Sequence, residues 1–326
     1  MRVVPGRFNC DPIIQAAWLY YHDNLTQQEI ADILGVSRAT VINYLNAARD
    51  QHVVSVSVKP EAMNTVSLAQ ELCGQFGLED ALIVPDDGGH GNLIDRIGAA
   101  AAHYLGHTCQ SDDIIGVAWG RTVLAMSKLI PPTAETDLRV VQIVGSMLLD
   151  DGTSAEVCTA NIAYRLGAVC VNLHLPALLS SRTLRDALMA EPMVADQFDL
   201  IRRCSQVYFG ICTLERDSLV YNSGLTTPQS SVTYQEGGAV GVIAGRFYDR
   251  TGLPVLAEID ERRIGITLQE LKSIPKRIAV AGGAEKVKPI LAALVGGYAT
   301  TLITDEKTAR GVLAEAGRIA KLRQAG

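Results

Sequence analysis

The chain has 326 residues, 48% of them hydrophobic but only 5% aromatic, and carries 35 acidic against 29 basic side chains for a net charge of −6. This supports a full-sized, mostly aliphatic core and two domains, and it excludes non-specific coating of nucleic acid by the whole chain. No run of about 18 uncharged apolar residues argues for a membrane span, and the opening MRVVPGRFNCDP has no apolar signal core, so we expect a cytoplasmic protein without membrane contact.

In chain order, PIIQAAWLYYH (12–22) predicts a first helix, with Asp11 as its cap and Pro12 at an early position, and with Trp18 packing between helices. Thr26 caps a second helix, and Glu29 three residues on completes a capping box. Ile30, Ala31, Ile33 and Leu34 make its apolar face, and Gly35 ends it. Ser37 caps a third helix running to about Arg49, with Val41, Ile42, Tyr44 and Leu45 at helical spacing. HVVSVSV (52–58) alternates like a strand, and KPEAMNTV (59–66) reads as a linker.

Beyond the linker, strand-like apolar runs alternate with amphipathic helical runs. ALIVPD, DIIGVAWG, RVVQIVGSM, VCVNLHLP, QVYFGIC, RIAVAGG and TTLITD are the strand candidates, most of them followed by helical stretches such as LIDRIGAAAAHYLG and KVKPILAALVGG. Repeated β-then-α units predict an α/β fold, a parallel sheet flanked by helices on both faces. The expected division is a small all-α helix-turn-helix domain at 1–58 and an effector-binding and oligomerisation domain at 59–326.

The stretch LTQQEIADILGVSRATVINYL (25–45) places a small residue, Ala31, where two helices cross, a turn residue, Gly35, and apolar locks at Ile30, Leu34, Val36, Val41 and Tyr44 or Leu45. An ordinary helical hairpin uses the same logic, but agreement at all positions favours double-stranded operator DNA as partner. Arg38, Thr40 and Asn43 are the candidate base readers, since Arg takes guanine and Asn adenine. Thr26, Gln27 and Ser37 are candidates for phosphate contact near helix starts, and Arg49 for backbone contact or a surface ion pair. Residues 1–58 hold four arginines against five carboxylates, so one head binds weakly and several per assembly are expected.

The seven cysteines, Cys10, Cys73, Cys109, Cys158, Cys170, Cys204 and Cys212, show no paired spacing and read as free thiols. The histidines at 22, 52, 90, 103, 107 and 174 form no ligand motif. We expect no metal and no cofactor.

With this reader in front of a βα domain, the chain resembles the SorC family of bacterial sugar-responsive transcriptional regulators. The resemblance spans nearly the whole length and rests on WLYYHDNLTQQEIADILGVSRATV, GVAWGRTV, VVQIVGS, SGL at 223–225, GAVGVIAGRFYDRTGLPV and IAVAGGAEKVKPILAALVGGYATTLITDEKTA. It implies an effector domain similar to the sugar-phosphate isomerase and glucosamine-phosphate deaminase fold, assembly into dimers or tetramers, and a sugar, sugar-phosphate or polyol effector.

Candidate effector residues follow. The loop Gly116 to Thr122 links a strand to a helix start and presents amides and a positive dipole end to an anion. Gly120, Arg121 and Thr122 are the phosphate-end candidates, which the resemblance supports, although a plain β-to-α turn also uses Gly and Thr. Trp119 would wall a sugar face or pack. Lys286 matches a family lysine that approaches the phosphate, whereas Lys288 reads as a surface cation. Gln142, Gly145 and Gly210 lie at or near strand ends, where open α/β sheets bind ligands, and Asn161 is a further candidate or a surface amide. Two positions depart from the family pattern: Ala118 replaces a small hydroxyl residue, and Val242 replaces an Asp placed to accept sugar hydroxyls. Loss of that acceptor is worth about 1.5–3 kcal/mol. Glu236, Arg246 and Asp249 are possible substitutes.

The alternative is a sugar-phosphate isomerase or deaminase with an accessory helical domain. Such an enzyme needs a carboxylate base near the phosphate loop. Asp112, Asp113 and Asp150 are near in sequence, but no motif places one over a substrate.

Overall fold

The computed structural model describes residues 11–51, 53–54, 60–88, 91–147, 153–215, 220 and 223–324. Two compact units separate at Pro60.

The first unit is built from α1 (Pro12–Tyr21), α2 (Gln27–Leu34) and α3 (Arg38–Asp50). Each helix starts at the cap its sequence supplies. Asp11 accepts from the Ile13 amide at 2.8 Å, Ser37 accepts from the Thr40 amide at 3.1 Å, and Thr26 and Glu29 form the reciprocal capping box. Gly35 ends α2 in the left-handed region, φ 66°, where a side chain would be strained. Ala16, Leu19, Ile30, Ala31, Val41 and Leu45 form the small core. Leu45, not Tyr44, is the inner lock. Ile33 and Ile42 depart from expectation: 47% and 38% exposed, they face outward because α2 and α3 bury only a narrow stripe in so small a unit. Trp18 is half-buried and stacks on His22. The expected strand at 52–58 lies largely outside the described residues, and Val53 and Val54 form a bend.

Where the sequence predicts a linker, the chain instead starts a helix, α4 (Pro60–Phe76). Proline suits a first helical turn, where its missing amide proton has no intrahelical partner to lose. The second unit continues with β1 (Asp80–Val84), α5 (Leu93–Thr108), β2 (Ile114–Val117), α6 (Arg121–Leu129), β3 (Arg139–Gln142), α7 (Ala155–Leu166) and β4 (Val169–Val171). There follow α8 (Arg182–Met189), α9 (Pro192–Arg202), β5 (Gln206–Phe209), α10 (Pro228–Glu236), β6 (Ala239–Ile243), β7 (Arg246–Asp249) and α11 (Leu268–Ser273). The last elements are β8 (Lys276–Val280), α12 (Val287–Val295), β9 (Thr301–Asp305) and α13 (Glu306–Gln324).

Seven strands form one parallel sheet in the order β1-β9-β8-β5-β2-β3-β4, and β6 and β7 form a separate antiparallel hairpin. All seven sheet strands come from the runs the sequence marks. Their side chains alternate between two cores. Ile115, Val117, Val140, Tyr208, Ile278 and Val280 pack under α5, α6 and α7. Val141, Val207, Phe209 and Ala279 pack on the opposite face with Leu72, Phe198, Ile290 and Val312. Each fully buried aliphatic side chain contributes about 1.5–3 kcal/mol. A chain buried on both faces needs continuous apolar strands, which is why these runs lack polar alternation. Among the described residues no helix is long and apolar enough to cross a membrane.

Candidate functional site

The strand order sets the position of the main site. From β2 the chain runs to β3 on one side, and from β5 to β8 on the other, so the connections diverge between β5 and β2. A crevice opens at the carboxyl ends of strands where connections part in this way. Here it is a cleft of about 310 Å3 at the ends of β8, β5 and β2.

Gly120, Arg121, Thr122, Gly210 and Lys286 all line this cleft. Residues far apart in sequence meet because each follows one of three neighbouring strands. Two helix starts converge there. α6 begins at Arg121 with Gly120 as N-cap, and α12 is led in by a 3-10 turn, Ala284–Lys286, that starts at Gly283 and takes the Lys286 and Val287 amides; neither Gly120 nor Gly283 gives a side-chain cap. Helix starts direct unpaired amides and positive dipole ends outward, which favours an anion. Arg121 and Lys286 add positive charge, and both act on the Cys212 thiol, which burial pushes up and these two cations pull down. The third wall, 281–283, is held from behind: the Gly283 amide donates to Thr308 Oγ1 at 2.8 Å and to Asp305 Oδ2 at 3.1 Å.

Several sequence candidates have other duties. Gly116 lies within β2 and not in the cleft lining; a Cβ there would meet Ile143 Cγ2 at 2.9 Å, so it is a packing glycine. Gly145 presses against the chain at Pro176 and Ala177, where a Cβ would sit 2.5 Å from the Ala177 Cα. Trp119 is 3% exposed, belongs to the core and is not among the residues that line the cleft. Ala118 is likewise a core residue. Gln142 is spent internally, donating to the Val144 carbonyl at 2.7 Å and accepting from the Leu173 amide at 3.0 Å. Asn161 donates to Ser127. Thr122 lines the cleft, but its hydroxyl donates to the Val280 carbonyl at 2.5 Å.

The suggested substitutes for an acceptor at 242 do not reach the cleft. Arg246 donates to the carbonyls of Ile266 and Gly265, Asp249 closes its own turn through Thr251 and Leu253, and Glu236 ends α10. Val242 is 1% exposed, but its backbone pairs with Cys212, a cleft residue. The lining also contains Leu93, Ile94, Ile211, Thr213, Glu215 and Glu285, which motif reading did not single out. The only signal was position: GICTLE and AGGAEK both run past strand ends.

Asp112 and Asp113 precede β2, at the other end of the sheet from the cleft. Asp113 accepts from Ser205 and Gln206, and Asp150 lies outside the described residues. Neither Asp112 nor Asp113 supplies a base to the cleft.

In the first unit, α3 carries Arg38, Ile42, Asn43, Asn46 and Arg49 as exposed residues, with Thr40 half-buried. Arg38 Nε donates to Gln27 Oε1 at 3.2 Å, which brings two sequence candidates together across α2 and α3. Ser37 and Thr40 hydroxyls are 2.8 Å apart at the start of α3, and Thr26 is exposed at the start of α2. Arg49 Nε donates to the Tyr21 hydroxyl at 2.9 Å.

Comparison with known proteins follows the same division. The family profile described as "Putative sugar-binding domain" matches residues 61–314. The Escherichia coli (strain K12) protein named "Uncharacterized transcriptional regulator YjhU" is 38% identical over 313 residues, covering 94% of this chain and 95% of that one. The Bacillus subtilis (strain 168) "Deoxyribonucleoside regulator" is 29% identical, covering 92% and 96%. The crystal structure of the full-length sorbitol operon regulator SorC from Klebsiella pneumoniae superposes with a TM-score of 0.74 at 27% identity, covering 96% of this chain and all of that one. The chain therefore belongs to the SorC family of transcriptional regulators, with the family's sugar-binding domain at residues 61–314, and it is a regulator rather than an enzyme.

Proposed function

We propose that this regulator controls a carbohydrate or polyol catabolic operon, reading duplex operator DNA with residues 1–58 and binding a sugar, sugar phosphate or polyol in the cleft of residues 59–326. The observation that carries the effector assignment is the convergence of Arg121 and Lys286 on two helix starts that lack side-chain caps, within one cleft at the ends of three adjacent strands. Such a cleft favours an anionic end, and a phosphorylated ligand supplies one. The names of two relatives, a sorbitol operon regulator and a deoxyribonucleoside regulator, agree with a small polyhydroxylated effector.

On the DNA side, α2, the Gly35 turn and α3 act as a helix-turn-helix. Arg38, Thr40 and Asn43 read bases, while Thr26, Gln27 and Ser37 meet phosphate. The Gln27 contact orients Arg38 from the neighbouring helix. A head with little net charge binds weakly alone, so the working form is a dimer or tetramer of this chain. A coupling of about 1–3 kcal/mol between effector and operator suffices for control.

A thermal-shift screen of free and phosphorylated sugars and polyols tests the effector reading. A specific ligand raises the melting temperature of the wild-type chain, and the Arg121→Ala/Lys286→Ala variant loses that rise for anionic ligands. An unchanged response in the double variant removes both residues from the anion site. Sedimentation tests assembly; a monomer at micromolar concentration, even with DNA, contradicts it.

A further inference from the structure

Helix α3 carries an outward stripe with no charge on it. Its exposed residues Ala39, Ile42, Asn43 and Asn46 follow the i, i+3, i+4, i+7 spacing of one helix face. Val41, Leu45 and Ala48 occupy the buried face. Ile42 is 38% exposed although Val41 beside it is fully buried, so this isoleucine is left out of the small core. Two arginines bound the stripe, and each is drawn aside: Arg38 Nε donates to Gln27 on α2, and Arg49 Nε to Tyr21 on α1. Asn43 and Asn46 have no side-chain hydrogen bond among the described residues.

Folding alone does not ask for these residues. Asparagine and isoleucine favour a helix less than alanine, lysine or glutamate, and the outer face of a helix ordinarily carries charge. Two apolar side chains interleaved with two amides match a partner surface that is uncharged, part apolar and part hydrogen-bonding. The major-groove edge of an A·T pair is such a surface. The thymine 5-methyl is the only methyl group the bases present there, and adenine offers N6 and N7 to an amide. A guanine or cytosine edge against Ile42 would lose water from its polar groups and gain no partner.

We propose that Ile42, backed by Ala39, reads thymine methyl groups in the operator while Asn43 and Asn46 take adenines of the same run, so that each half-site holds A·T pairs under the middle of α3. This inference rests on the DNA reading given above and deepens it. From Ala39 to Asn46 the helix rises about 10 Å, the length of about three base pairs at about 3.4 Å each. Arg38 precedes the stripe and keeps a guanine at the edge of the run as its partner.

The test begins with the full chain and a pool of random-sequence duplexes, enriched by repeated binding at low ionic strength with and without metabolite extract. The recovered half-site should contain about three adjacent A·T pairs. Deoxyuridine, which lacks only the methyl, then replaces each thymidine of that duplex in turn, and affinity is followed by fluorescence anisotropy. At the positions under Ile42 the wild type should bind the uracil duplex about fourfold more weakly, the worth of one buried methyl. In Ile42→Ala, thymine and uracil should bind alike at those positions, with a melting temperature near wild type. In Arg38→Ala the methyl effect should persist. Thymine and uracil that bind the wild type alike throughout, a methyl effect undiminished in Ile42→Ala, or a half-site with no A·T pair overturns the role of Ile42 and leaves DNA binding standing. The comparison of thymine with uracil on the wild type decides the matter even if the variant fails to fold. Weaker self-association of Ile42→Ala in sedimentation, with an unchanged ratio of thymine to uracil binding, assigns the stripe to contact between copies and overturns the proposal as well. Recovery of no preferred sequence removes the DNA reading and this inference with it.

Discussion

The hydroxyl of Thr122 donates to the main-chain carbonyl of Val280 at 2.5 Å, tying the start of α6 to the end of β8 across the floor of the cleft. Thr122 is 3% exposed and Val280 fully buried. One side chain thereby links the helix that follows β2 to the end of β8, two strands away in the sheet. Thr122→Val keeps the shape but removes the donor, and should cost about 1–3 kcal/mol in urea unfolding. Thr122→Ser should retain most of the stability. Equal loss in both variants would point to packing of the methyl group instead.

Asp260 anchors the hairpin region in the same manner. It accepts from Arg263 Nε at 2.8 Å, from the Tyr234 hydroxyl at 2.6 Å and from the Ala257 amide at 2.8 Å, and its side chain is 8% exposed. Asp260→Asn leaves the Arg263 guanidinium buried without its counter-charge. We expect a loss of about 3–5 kcal/mol by denaturant titration, and about 1 kcal/mol for Tyr234→Phe. A loss near zero for Asp260→Asn would mean that the arginine finds another counter-charge.

Thiol labelling reports both the core and the cleft. Burial pushes Cys158 and Cys204 up to about 12 and Cys109 up to about 11, so little reactive thiolate forms in the folded chain. Cys170 is exposed on edge strand β4. Timed alkylation at pH 8 with mass-spectrometric readout should modify Cys170 first and leave Cys158 and Cys204 untouched until unfolding. Cys212 lines the cleft, and a saturating effector should slow its modification. Rapid labelling of Cys158 in the folded protein would contradict the packing under α6 and α7.

The capping box of α2 gives a pH dependence with a definite sign. The Thr26 amide and hydroxyl hold Glu29 below its ordinary value of 4.5. Because the folded value is the lower one, the stabilisation is complete above the ordinary value and is lost as pH falls through the folded value. Amide exchange measured by mass spectrometry on the full chain should therefore show α2 opening at acid pH. In Glu29→Gln, α2 should exchange faster at neutral pH and respond less to acid. Protection independent of pH in the wild type would dismiss the box as a stabilising feature.

Much of this architecture is legible in the residues because its signals are local. Helix caps at Asp11, Thr26 and Ser37 act within one turn, and a strand buried on both faces needs an unbroken apolar run. The hairpin of β6 and β7 is harder to see: its turn at Ala244 and Gly245 sits inside a single apolar stretch, GAVGVIAGRFYD. The site divides along the same line. Gly120, Arg121, Gly210 and Lys286 are visible because strand ends and helix starts are visible. Gly116 and Gly145 mislead because a glycine that admits a neighbouring chain looks, in sequence, like one that admits a ligand. Glu215 and Glu285 carry no motif and join one lining only because β5 and β8 lie side by side.

The most direct test of the central claim is operator binding by the full-length protein, followed by fluorescence anisotropy at low ionic strength, with and without an effector found in the thermal-shift screen. The protein should bind at least one promoter fragment tightly, change its affinity about 5- to 150-fold on adding effector, and lose that change in Arg121→Ala/Lys286→Ala. Arg38→Ala should weaken base discrimination by about 1–3 kcal/mol. Indifference to every promoter fragment, with and without metabolite extract, would contradict it.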